Sequence, residues 1–416
     1  MRESVRVRDC CRLCGSQALE LVVAFDDIPL FDEIVTPERR GDEFSHPMKV
    51  YVCVDCVSVQ SLHDIDINAY YESYNYIPSD SAFVMNYMNS LVEYCSVTWG
   101  LHEGSTVLEV GASDGYLLAQ FREMGASVVG FEPAANLCTI ALQRGISLIP
   151  ELFEADTIRN IPGDSMPVDF FVLLHTFDHL RDPSTFIQSV SKVLNHDRGI
   201  LILEVHDFAD IVSQFETSLF GHEHATYLHL GSMERFLNRH GFKVVDANFL
   251  PKRAMRGSSM LIAAAKKESS LEPARKLAGL RDPRLDSLER YAEWGDAVGI
   301  AFNNLRQFVD DRLAEGKSLA GYGGWGRGVT TLAMARLGPD HLKFVVDGNE
   351  SLHGNFTPVS SIPIVGPEAV SRADVDIIVV FNHAYFDEIR ANLMTFIEQG
   401  GVLISVLELL SYRREK

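Results

Sequence analysis

The sequence predicts an α/β protein in three parts: a small cysteine-bearing module, a central doubly wound Rossmann-like domain, and a smaller Rossmann-like domain toward the C-terminal end. Three observations carry this. The chain has 416 residues, more than one hydrophobic core usually spans. Two Cys-x-x-Cys pairs stand near its start. A rhythm of apolar strand, glycine turn and helix begins near Ser105 and begins again near Lys317.

Composition narrows the classes. At 46% apolar and 10% aromatic residues the chain is an ordinary folded protein, which excludes collagen-like, disordered and disulfide-scaffold types. Its 37 Lys and Arg against 57 Asp and Glu leave a formal charge of -20, a field that repels a phosphate backbone, so nucleic acid is not an expected partner. No stretch reaches the roughly 20 uncharged apolar residues of a membrane span. The opening MRESVRVRDCC is too charged for a signal peptide. The expectation is a cytoplasmic monomer with no membrane partner.

Taken in order, residues 1–66 mix short apolar runs (Leu19 to Phe25, Met48 to Cys53) with polar turns, as a small loop-rich module would. Residues 67–265 begin with a tyrosine-rich segment around Tyr70, Tyr71, Tyr74 and Tyr76, followed by a helix over AFVMNYMNSLVEYC. Then come STVLEV as strand, GASDG as turn, YLLAQFREMG as helix, SVVGFE as strand, a helix, and ISLIP as a further strand. VDFFVLLH is a near-continuous apolar run, as a strand covered on both faces requires, and a helix and the strand GILILEV follow. Residues 266–416 open with a charged stretch read as one or two linker helices. The alternation then restarts with KSLAGYGG, LKFVVD, DIIVVFN and VLISVLEL.

Cys11 and Cys14, with Cys53 and Cys56, form two thiol pairs at knuckle spacing, and four soft ligands so arranged suit tetrahedral Zn2+. With every position taken by sulfur, such a zinc is structural and not catalytic. Cys95 and Cys138 lie on apolar helix faces and read as core.

Glu109, Gly111, Ser113, Asp114 and Gly115 span the turn between the first strand and helix of the central domain. Glycines there let backbone approach a ligand, and the helix N-terminus faces it. Glu132, at the end of the next strand, is placed to accept hydrogen bonds from two ribose hydroxyls. A dinucleotide site wants GxGxxG in this turn, whereas ExGxxxG with an acidic second strand end suits S-adenosylmethionine, which has no pyrophosphate to cradle. The later turn Gly321-Tyr-Gly323-Gly-Trp325-Gly326, with Asp347 beyond it, does fit GxGxxG. Trp325 is bulky beside a pyrophosphate, so a packing role for those glycines stands against bound NAD.

Two histidine-rich stretches follow strands at the carboxyl edge, where open α/β sheets bind ligands. One holds His175, Asp178 and His179; the other is Phe220-Gly221-His222-Glu223-His224. Imidazole beside a carboxylate serves as a general base near neutral pH. A solvated loop or a metal-holding His-x-His is the competing reading of the second.

In this order, the paired Cys-x-x-Cys, ExGxxDG, strand-end histidine, His-Glu-His and second Rossmann-like domain resemble the S-adenosylmethionine-dependent sugar C-methyltransferases. Those enzymes act on nucleotide-linked keto-deoxysugars in antibiotic and surface-glycan pathways. The resemblance covers essentially the whole chain. It implies a methyltransferase-type central domain, an N-terminal zinc module whose Tyr74-Asn-Tyr76 segment reaches the site, and a last domain that helps hold the sugar nucleotide, a dTDP-sugar by expectation. The implied chemistry is enolisation next to a ketone and attack of that carbon, C-3 by expectation, on a sulfonium methyl. By the same resemblance His224 becomes the base, Glu223 orients it, Tyr76 and His179 stabilise enolate charge or position the sugar, and His175 joins the donor site. Family members carry an aromatic residue immediately before His-Glu-His, where this chain has Gly221. That departure leaves open a sugar-nucleotide epimerase or isomerase that enolises without methyl transfer, and, more remotely, a binding scaffold.

Overall fold

A computed structural model describes residues 5–31, 33–65, 77–252, 255, 258–372 and 375–410. Tyr74 and Tyr76 lie outside the described residues.

Strands Leu19–Ile28, His46–Cys53 and Val59–Ser61 form an antiparallel sheet. Its fourth strand, Thr226–Tyr227, arrives from far along the chain and pairs Thr226 with Gln60 and Tyr227 with Val59. One face of this sheet carries Val23, Phe25, Met48, Val50 and Val52, all buried. A strand that hides every second residue needs something to cover that face.

The cover is helix Leu288–Ala314, 27 residues long. Its buried Tyr291, Trp294, Val298, Phe302, Leu305 and Val309 recur at three- and four-residue intervals, the stripe of a helix pressed against a core. A Cβ built on Gly295 would stand 2.0 Å from the carbonyl oxygen of Val22, so only glycine lets the helix ride this close to the strand. The stretch expected as a linker is thus a central beam. Its residues join those of the first sheet and of the last sheet in one hydrophobic cluster, which also takes in Phe208, Phe220 and Tyr227.

The central sheet has six strands in the order Phe242–Ala247, Ser259–Lys266, Ile200–His206, Phe170–Leu174, Thr106–Val110 and Ser127–Phe131. The last four run parallel, and Ser259–Lys266 alone is reversed, antiparallel to both of its neighbours. Leu108, Phe171, Leu173 and Leu201 face one apolar cluster, while Val107, Phe170, Val172 and Ile200 face another. Cover on both faces is what the uninterrupted apolar runs required. The ISLIP segment expected as a strand makes only one bridge, Phe131 to Ile149. It is short and closed by Pro150, which has no N–H to donate to a ladder.

The last sheet is fully parallel, in the order Ile364–Val365, Val345–Val346, Leu319–Tyr322, Ile377–Val380 and Val402–Ser405. Among the described residues no helix is long and apolar enough to cross a membrane.

Candidate active site and metal centre

The two cysteine pairs close on one another. Each lies in a tight turn, with Gly15 N donating to the Cys11 carbonyl and Val57 N donating to the Cys53 carbonyl. The turns need left-handed backbone, which Gly15 (φ 77°) and Val57 (φ 53°) adopt. Sulfur contacts of 3.6 Å (Cys11 to Cys56) and 3.5 Å (Cys14 to Cys53) are far beyond a disulfide bond and near the separation that ~2.3 Å zinc–sulfur bonds impose in a tetrahedron. Gln60 Nε2 donates to Cys11 Sγ at 3.0 Å, a contact that suits a thiolate. Four sulfurs and no open position fit a structural Zn2+.

A cavity of about 1210 Å³ opens at the carboxyl edge of the central sheet, with Phe31 of the first module on one side and Trp325 to Arg327 of the last sheet on another. The donor turn forms its floor. Gly111 (φ 72°) keeps the turn tight against Thr176, whose Oγ1 lies 2.5 Å from where a Cβ would be. Glu132 accepts from Ser113 N and Ala134 N, both at 2.9 Å, which fixes the carboxylate and leaves lone pairs for ligand hydroxyls. Burial pushes the Glu132 carboxyl up from its ordinary value, against the pull of those two amides. Asp114 is held by Arg144 at 3.2 Å and by the Ser79 amide at 3.4 Å. Ser113 Oγ and His175 Nδ1 are buried without a hydrogen-bond partner among the described residues. Glu109, Gly111, Ser113, Asp114, Glu132 and His175 all line the cavity. Gly115 is the exception among the sequence candidates. A Cβ there would meet Ala141 at 2.9 Å and Ile146 at 3.2 Å, so this glycine serves helix packing. Fixed carboxylate, close backbone and unsatisfied polar atoms fit S-adenosylmethionine.

Above this floor the imidazoles gather. His224 and His179 stand with ring centroids 4.8 Å apart, His206 lies 4.6 Å from His224, and His175 lies 4.8 Å from His206. His224 Nδ1 donates to the Leu219 carbonyl at 2.8 Å, a tautomer in which Nε2 accepts. The Leu219 carbonyl thus helps orient the His224 ring, and Glu223 Oε1 accepts from Phe31 N at 2.8 Å. Burial lowers His224, and takes His179 to about 4 and His206 to about 3, so the rings rest neutral. Asp178 is buried; desolvation pulls its carboxyl upward, but the hydrogen bond from His206 and the neighbouring imidazoles hold it well below the usual range.

Gly221 finds its explanation in Phe31. A Cβ at 221 would stand 2.3 Å from the Phe31 ring, which lines the cavity edge-on to His224 at 5.4 Å. An aromatic ring is present beside His-Glu-His, donated by the first module. Sequence reasoning gave no signal for Phe31, and passed over Asp178 as a site residue, His206, Arg327, His383 and the Glu216 that both of the last two contact. His206 could have been found, since it ends an apolar strand at the same edge as His175.

A Rossmann-like sheet with an acidic donor pocket and a ring of neutral imidazoles at one edge defines an S-adenosylmethionine-dependent methyltransferase. Three family models match in tandem: a zinc binding domain over residues 11–71, a methyltransferase domain over 82–247 and a C-methyltransferase C-terminal domain over 254–407. The C-methyltransferase NovU of Streptomyces niveus is 31% identical over 409 residues, covering 97% of this chain and 96% of its own. The chain belongs to the C-methyltransferase family. An uncharacterized methyltransferase of Bacillus pumilus is 30% identical over 117 residues, 28% of this chain and 51% of its own. Among solved structures, magnesium protoporphyrin IX methyltransferase of Synechocystis aligns with a TM-score of 0.34 at 17% identity, over 44% of this chain and 84% of that one.

Proposed function

We propose that the protein methylates a ring carbon, C-3 by preference, of a nucleotide-linked 4-keto-deoxysugar, a dTDP-sugar of the kind that antibiotic pathways use, after base-assisted enolisation. One observation carries the reading: the donor turn and a set of proton-accepting imidazoles share one cavity, and a second, cation-bearing turn from the last sheet closes it. S-adenosylmethionine supplies, when bound, a sulfonium methyl that a carbanionic carbon can take.

This chain's residues do the rest. Glu132 and the Gly111 to Ser113 backbone hold the donor's adenosine. His224 Nε2 accepts the proton beside the ketone. His179 positions the sugar or stabilises the developing oxyanion, and Tyr76, from outside the described residues, joins it. Glu223, fixed by Phe31 N, braces the loop that carries His224. Arg327 and His383, gathered on Glu216 at 3.6 Å and 2.9 Å, face the side where the nucleotide enters.

The test is incubation with a thymidine diphosphate-linked 4-keto-6-deoxyhexose in deuterated water, with and without S-adenosylmethionine, followed by mass spectrometry. Gain of one methyl supports the proposal. Deuterium exchange or inversion with no methyl gained would replace it with an epimerase. His224→Asn is expected to lower the rate by about 10²-fold or more while donor affinity holds.

A further inference from the structure

A base that removes a carbon-bound proton becomes a cation, and a buried cation needs an anion close by. His224 has no carboxylate hydrogen-bonded to its ring, because its Nδ1 meets the Leu219 carbonyl. A buried carboxylate, Asp178, lies within 4.8 Å of a ring nitrogen of His224 and is hydrogen-bonded to a second ring, His206. Asp178, 2% exposed, accepts from His206 Nδ1 at 2.6 Å, and its backbone carbonyl accepts from Ala225 N, which ties the carboxylate to the loop carrying His224. With Nδ1–H directed at Asp178, His206 keeps Nε2 as an acceptor, and the ring lines the same cavity. Carboxylate, imidazole and reacting group in that order is the arrangement by which a fixed anion stabilises an imidazolium that forms during catalysis.

We infer that His206 and Asp178 form a proton relay behind His224, with His206 the transient acceptor of the abstracted proton and Asp178 the residue that positions and balances it. The inference rests on the enolisation reading above. The carbon–hydrogen bond beside the carbonyl breaks, its electron pair becomes the enolate, and the proton passes to His224 Nε2 and on to His206 Nε2. There the cation faces ionised Asp178, and the proton later leaves to water. The groups around the relay leave Asp178 as its counter-ion. His175, 4.8 Å away, has Nε2 on Glu204 at 3.3 Å, and Glu204 is also held by Ser259 Oγ at 2.9 Å. His179 and Asp178 come from one turn, His224 from its loop, and Arg327 of the last domain is occupied with Glu216. All four rings are close enough to share one buried anion.

The experiment is solvent-deuterium wash-in at the carbon beside the ketone of the same thymidine diphosphate-linked 4-keto-6-deoxyhexose, followed by NMR without S-adenosylmethionine. Wild-type protein is compared with His206→Asn, His206→Gln and Asp178→Asn, each first shown to retain zinc and donor binding. Exchange is expected to fall about 10²-fold in both His206 variants. In Asp178→Asn it should fall about 10-fold or more, with the acid limb of its pH profile moved to lower pH, because loss of the anion makes the imidazolium easier to deprotonate. A residue that only shapes the cavity would lower the rate without moving that limb. Wild-type exchange matched by both His206 variants overturns the relay and leaves enolisation standing. No exchange by the wild type overturns both.

Discussion

The central and last sheets use the same device to opposite ends. Each has a strand, a glycine turn, a helix and an acidic residue at the end of the neighbouring strand. In each the acid accepts from a turn amide, Glu132 from Ser113 N at 2.9 Å and Asp347 from Gly324 N at 2.8 Å. Glu132 is 6% exposed and lines the cavity. Asp347 turns its second oxygen to Asn349 N at 2.9 Å and is not among the cavity's lining residues. The central turn offers backbone and a carboxylate to a ligand. The last turn offers side chains, Trp325 and Arg327, while its glycines are used for packing: a Cβ on Gly328 would lie 2.0 Å from the Gly323 carbonyl oxygen. A glycine motif after a strand therefore reports a close approach of backbone, and what approaches can be a ligand or the protein itself.

That contrast can be broken at four places. The largest effect is expected from Gly328→Ala, which drives a methyl into backbone and should destabilise the protein by about 3 kcal/mol in thermal unfolding. Donor affinity in the fraction that stays folded should hold. Next, Glu132→Ala should weaken S-adenosylmethionine binding about 10²-fold by calorimetry, since two ribose hydroxyls lose a charged acceptor. The same carboxylate gives a pH signature. Its raised pKa means that, as pH falls, the ionised form and donor affinity are lost at a higher pH than an exposed glutamate would give. Arg327→Ala should raise KM for the sugar nucleotide about 10-fold and leave donor affinity alone. The smallest effect belongs to Asp347→Asn, expected within about 2-fold of wild type in donor affinity, because only two backbone amides, Gly324 N and Asn349 N, lose a charged partner. A loss there as large as at Glu132 would mean the two turns share one ligand.

Much of this was legible from residues alone, and for identifiable reasons. Cys-x-x-Cys, the acidic strand end at Glu132 and the apolar runs are local patterns whose spacing is their meaning. The relay pair was not legible, because Asp178 and His206 stand 28 positions apart and meet only when their strands become neighbours. Phe31 was hidden for the same reason, 192 positions from the Glu223 it holds. The beam Leu288–Ala314 was legible as a helix but not as core cover, because its buried stripe covers a sheet formed at the other end of the chain. Gly221 looked like a loss and proved to be a vacancy for a ring from elsewhere.

The short strand Thr226–Tyr227, one residue beyond His224, is the edge strand of the zinc-bearing sheet. Reagents that strip the metal should therefore silence an enzyme whose chemistry never touches it, by fraying the ladder on which the loop carrying His224 is hung. Chimeras built by exchanging the first 66 residues between relatives would inherit the same liability unless this two-residue seam travelled with them.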